Sequence, residues 1–120
     1  MPILTVHVVG SPKDFPEDLA QRIADGAGHA LHSRPQGTWV RQAFVPPEHY
    51  AENDGVEEGI TPILVSLIQS EVPHAETLRE QLAKVTDAIS SASGIPSRNV
   101  HIMVEPAAKG RIAFGGNLVE

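Results

Sequence analysis

A motif written twice constrains this chain more than its composition does. Pro2-Ile3-Leu4 heads a β-branched apolar run, and Pro62-Ile63-Leu64 heads another sixty residues later. The match continues at nearly constant offset, pairing Leu19 with Leu78, Ile23 with Leu82, Pro35 with Pro96 and Val40 with Val100. Self-similarity at a fixed period marks one supersecondary unit used twice. In the first copy, Ile3 to Val9 alternates as a strand does and GSPKD breaks it. Phe15, Leu19, Ile23, Ala27, Ala30 and Leu31 then fall at helical spacing over about 16–31. HSRPQG ends that helix, and TWVRQAFV is a second strand stopped by Pro46 and Pro47. The second copy repeats the plan. Ile63 to Ile68 is a strand, and Leu78, Leu82, Val85, Ile89 and Ala92 line a helix closed by Gly94 and Pro96. NVHIMVE is the last strand. The acidic, turn-rich stretch PPEHYAENDGVEEG joins the copies.

A β-α-β crossover is right-handed, so two such units place both helices on one face of the sheet. The predicted fold is α+β: a single domain of two repeats, about 2–55 and about 61–120, with a four-stranded mixed sheet under two helices. The uncovered face carries Thr5, His7 and apolar neighbours, and a bare, half-apolar sheet face predicts oligomerisation.

Composition narrows function by exclusion. Apolar residues make up 41% and charged ones 20%, a globular balance and not a disordered one. The net charge is -6 with Lys and Arg scattered, so no basic stripe offers itself to nucleic acid. There is no cysteine, which removes disulfides and thiolate metal sites. His29 and His32 stand three apart, but spacing fixes no third ligand, and no metal or other cofactor is predicted. No apolar run approaches the roughly 20 residues that span a bilayer, and no basic-then-apolar leader opens the chain. The expectation is a soluble, cytoplasmic protein without nucleic-acid or membrane partners.

The first proline carries the chemistry. Proline cannot donate to a sheet ladder and is tolerated at a strand's first position, which is all that Pro62 can be. Pro2 differs, because removal of Met1 leaves it a free secondary amine. An α-amino group titrates at roughly 8, and burial among apolar groups lowers that value. A neutral amine near working pH is an effective general base.

An N-terminal proline heading a β-α-β unit, with two units per chain, resembles the tautomerase superfamily. The tail AAKGRIAFGGNL is similar to the C-terminal stretch of 4-oxalocrotonate tautomerases, where Ala-Lys-Gly precedes aromatic or apolar residues and a Gly-Gly. The double length is comparable to macrophage migration inhibitory factor. The resemblance implies a homotrimer with sheets inward and helices outside. It also implies a cofactor-free isomerase that moves a proton in a small enol or keto acid, with Pro2 as base. Arg41, in WVRQAF, falls at the family's arginine early in the second strand and would hold the substrate carboxylate bidentately.

Several positions depart from the pattern. The family's arginine after the first strand is replaced by Pro12, and in the second copy by Val72. His101 stands where the second copy would repeat Arg41, and the tail's aromatic position holds Ile112, with Phe114 two residues on. His29 falls about where the cis-3-chloroacrylate dehalogenase branch has an active-site histidine, yet that branch's arginine pair is missing from QSEVPHA. Dehalogenation and decarboxylation are therefore the weaker expectations. The candidate site is Pro2 as catalyst, with Arg41, His101, Ile112, Phe114 and His29 as substrate contacts. Lys109 and Arg111 are candidates for a second cation, and His49 and Tyr50 for a pocket mouth. The tail glycines are expected to form a hairpin on a neighbouring subunit. The alternatives are a non-catalytic trimeric binding or signalling module on the same fold and an unrelated ferredoxin-like ligand-binding domain.

Overall fold

At Gly10 the apolar period changes from that of a strand to that of a helix, and the first β-α-β unit follows from that switch. The computed structural model describes all 120 residues. Its elements are β1 (Ile3–Val9), α1 (Leu19–Ala30), β2 (Trp39–Val45), β3 (Ile63–Ile68), α2 (Ala75–Ser93) and β4 (Val100–Val104). A terminal hairpin of β5 (Ala113–Phe114) and β6 (Asn117–Leu118) follows. The strands lie in the order β2-β1-β3-β4. β1 runs parallel to β2 and antiparallel to β3, and β3 runs parallel to β4. Two β-α-β units thus meet through their first strands.

Leu4, Val6 and Val8 of β1 and Ile63, Val65 and Leu67 of β3 point to the helix side. They pack there on Leu19, Ile23 and Ala27 of α1 and on Val85 and Ile89 of α2. No helix is long and apolar enough to cross a membrane. α1 begins at Leu19 and not near Pro16. Residues 17–18 form a turn in which Leu19 N–H donates to the Pro16 carbonyl (3.2 Å), and Asp18 pairs with Arg22 (2.8 Å). α2 ends on Gly94 at φ 78°, a left-handed cap that glycine adopts without Cβ strain.

The sequence repeat and the structural repeat are out of phase by one residue. Matching Pro-Ile-Leu to Pro-Ile-Leu aligns buried Leu4 with Leu64, which points to the open face. Strand side chains alternate, so a one-residue slip exchanges the faces. The burial pattern instead superposes Leu4, Val6 and Val8 on Ile63, Val65 and Leu67. The structural counterpart of Pro2 is therefore Thr61.

The two helices pack closely at Gly26. A Cβ added there would lie 2.9 Å from the Ala88 Cβ, closer than two methyl groups tolerate. Gly26→Val is expected to destabilise the protein by about 1–3 kcal/mol in urea titrations, because overpacking forces the helices apart. Unchanged stability would mean that the crossing is loose.

Candidate active site

Pro2 is buried where β1 starts, and its carbonyl accepts the Trp39 N–H (3.1 Å), which locks the starts of β1 and β2 together. In this chain Met1 precedes it, so its nitrogen is an amide and becomes an amine only when Met1 is removed. The Trp39 indole N–H donates to the Gln36 carbonyl (3.0 Å). The indole ring meets Phe114 edge-on, with centroids 5.2 Å apart at 83°.

Phe114 reaches that end of the sheet because the tail turns back after β4. Ala108 N–H donates to the Gln69 carbonyl (2.9 Å) and Lys109 N–H to the Ser70 carbonyl (3.0 Å), carrying the chain past the end of β3. The hairpin closes through Gly110 N–H to Val119 O (2.7 Å) and Val119 N–H to Ile112 O (2.9 Å). Gly115 (φ 58°) and Gly116 (φ 87°) make its two-residue turn, with the backbone sign of a type I′ hairpin. The expected hairpin is present, and within this chain it packs on Trp39. Pro2, Trp39 and Phe114 thus lie at one end of the sheet, with Ile112 just before the hairpin strand that carries Phe114.

The other candidates stand elsewhere. Arg41 is exposed and pairs with Thr5, on the face of the sheet opposite the helices. From Pro2 that is three residues along and one strand across, about 11 Å of backbone. His101 also lies on the open face. It lines a concavity of about 310 Å³ with Thr5, His7, Leu64, Ser66 and Met103. It is two strands across and five residues along from Pro2, about 19 Å. His29 is exposed on the outer side of α1, where it borders grooves with Ser33 and Arg34 and with Lys84 and Asp87. Within one chain Phe114 meets Trp39 at the end of the sheet where β1 begins, and Arg41, His101 and His29 stand apart from Pro2.

Both tail cations are engaged. Arg111 donates to the Ala107 carbonyl (2.9 and 3.1 Å) and the Pro106 carbonyl (3.2 Å), and Lys109 pairs with Glu71 (3.3 Å). Tyr50 donates to Glu52 (2.6 Å), which raises the phenol's pKa, and the pair lies in the exposed connection.

Sequence reasoning overlooked two neighbours of Pro2. Trp39 is the only tryptophan and heads the second strand, which was signal enough. Gln69 follows β3, and only strand register places it opposite Pro2.

By sequence the chain matches no described protein family and no curated protein. Solved structures reveal the likeness instead. A wild-type fused 4-OT symmetric trimer superposes with a TM-score of 0.79 at 14% identity, over 98% of this chain and 94% of that one. Macrophage migration inhibitory factor from Trichinella spiralis gives 0.75 at 16% identity, over 97% and 98%. Pt0534, solved after inactivation by 2-oxo-3-pentynoate, gives 0.78 at 15% identity, over 98% and 95%. The chain shares the fold of these fused 4-OT, macrophage migration inhibitory factor and Pt0534 structures.

Proposed function

We propose that the protein is a keto–enol tautomerase that works as a trimer, with the amine of Pro2 as general base once Met1 is removed. The observation that carries this reading is the burial of Pro2 at the head of β1, where its carbonyl holds the Trp39 N–H, on a tautomerase fold. Apolar surroundings disfavour the charged ammonium, so the amine titrates below its usual value of roughly 8. A neutral amine abstracts the proton of an enol hydroxyl or of a carbon next to a carbonyl and returns it to the other site. An acid with an aromatic or apolar tail suits the indole and phenyl rings at that end.

The trimer accounts for two features of the single chain. Its open face exposes Met103 (69%) and Trp39 (47%) around Leu64, Ser66 and Thr5, a surface that water solvates poorly. A fused 4-OT with this fold forms a symmetric trimer. Arg41 on that face is separated from its own Pro2 by the sheet, yet a neighbouring protomer seated there receives its guanidinium. Arg41 therefore anchors the substrate carboxylate for the next subunit's Pro2. His101, on the same face, lines the centre of the assembly.

The test is ketonisation of phenylenolpyruvate by protein shown by intact mass to lack Met1. Acceleration well above the buffer rate, in a species of three chains by light scattering, is the expected result. A trimer without acceleration favours the binding-module alternative, and a stable monomer removes the Arg41 assignment.

A further inference from the structure

We propose that the end of the sheet opposite Pro2 carries a separate pocket for a small organic cation, an ammonium group on an aryl or alkyl body. This pocket is independent of the tautomerase reading.

Its place follows from the doubling of the fold. Thr61 is the structural counterpart of Pro2, and it stands where β1 ends and β3 begins. A pocket of about 500 Å³ opens there, within the size range of small-molecule sites. The turn after β1, the residues leading into β3 and the C-terminal end of α2 enclose it. Gly10 belongs to its lining at φ 150°, a conformation that favours glycine. A Cβ there would lie 3.2 Å from the Phe15 ring and 3.7 Å from the Thr61 methyl, so a side chain would crowd both.

The lining sets the chemistry of the ligand. Val9, Phe15, Ile60 and Ile95 supply an apolar wall. Phe15 is backed by Phe44, with ring centroids 5.7 Å apart. Asp14 is the only charged residue in the lining, and no cation shares the pocket with it. It is exposed and belongs to neither of the chain's ion pairs. Of the formal charges within two residues of the lining in sequence, Glu17, Glu48 and Glu58 outnumber Lys13. The hydroxyls of Ser11 and Thr61 also line the pocket, and Ser11 makes no side-chain bond to the turn over Pro12–Asp14 that follows it. The Ser93 hydroxyl is committed elsewhere, donating to the Ile89 carbonyl (2.7 Å) and accepting the Ile95 N–H (3.1 Å).

An ammonium on an apolar body satisfies this set. Its body lies on the apolar wall, its charge goes to Asp14, and its N–H groups donate to hydroxyl oxygens. An anion of the same shape would meet Asp14 with nothing to balance it. The nitrogen of Thr61 is an amide inside the chain, whatever happens at Met1. This end of the sheet therefore binds without an amine base to turn its ligand over.

Calorimetric titration tests this on protein that retains Met1, so that no Pro2 amine contributes. The probes are 2-phenylethylammonium, 2-phenylethanol and 3-phenylpropanoate. The ammonium is expected to bind about fivefold more tightly than the alcohol at low salt, the worth of one exposed ion pair. That preference should vanish at about 1 M salt, where charges are screened within roughly 3 Å. Asp14→Asn should bind the ammonium and the alcohol equally, with the affinity for the alcohol and Tm unchanged. Ile60→Ala, outside the buried core, should weaken both ligands alike. No binding of the ammonium would overturn the proposal, as would equal affinity for the alcohol or the propanoate in the parent protein. So would a preference that survives Asp14→Asn, or affinities untouched by Ile60→Ala.

Discussion

Pro2→Ala is expected to lower kcat/KM for enol ketonisation about 10²- to 10⁴-fold, the usual contribution of a positioned general base. The substitution leaves a primary amine at the N-terminus, so the loss measures the constrained geometry and basicity of the pyrrolidine ring. The fold should tolerate the change. Pro2 contributes no ladder N–H, and alanine keeps the carbonyl that accepts from Trp39. Urea titration should therefore show a stability change within about 1 kcal/mol. A variant that is stable, trimeric and fully active would remove the proline from the mechanism.

Mixing two dead variants should restore activity. Pro2→Ala and Arg41→Ala homotrimers are each expected to be nearly inactive, the first without base and the second without carboxylate anchor. Arg41 stands on the face opposite its own Pro2, so in the proposed trimer the two groups of one site come from different chains. In a head-to-tail ring formed from equal parts of both variants, about a quarter of the sites pair an intact proline with an intact arginine. Denaturing and refolding the mixture should recover roughly that share of parental kcat. No recovery would place both groups in one chain, against the geometry of the sheet.

Much of this was legible before any coordinates. The change of apolar period at Gly10, the helix rows through Ile23 and Ile89, and the terminators Gly94 and Pro96 defined two β-α-β units, because each depends on local spacing. The uncovered sheet face followed from crossover handedness. Residue similarity misled at Pro62, where the apolar motif repeats but the alternation is shifted by one. A strand buried on one face reveals its phase only through its partners. The candidate site was legible in pieces. Pro2 and Phe114 lie at one end of the sheet, where Trp39 gives its backbone N–H to Pro2 and its ring to Phe114, and sequence spacing alone connected Trp39 to neither. Gln69 was invisible for a related reason, since a polar residue just past a strand reads as a loop until antiparallel register sets it against the first proline. Arg41, His101 and His29 were chosen by alignment to a pattern, which cannot tell a group that serves its own chain from one that serves a neighbour.

The most direct test of the central claim is covalent labelling of Met1-free protein with 2-oxo-3-pentynoate, followed by intact-mass and peptide mapping. The reagent's triple bond is conjugated to a ketone, and a neutral amine adds to it with no leaving group, so one adduct weighs the protein plus the whole reagent. The account predicts one adduct per chain, on Pro2, at a rate that rises through an apparent pKa below the usual value of roughly 8, and no adduct on protein that retains Met1. Label spread over lysines and histidines, or an unmodified Pro2 in protein proven to lack Met1, would contradict it.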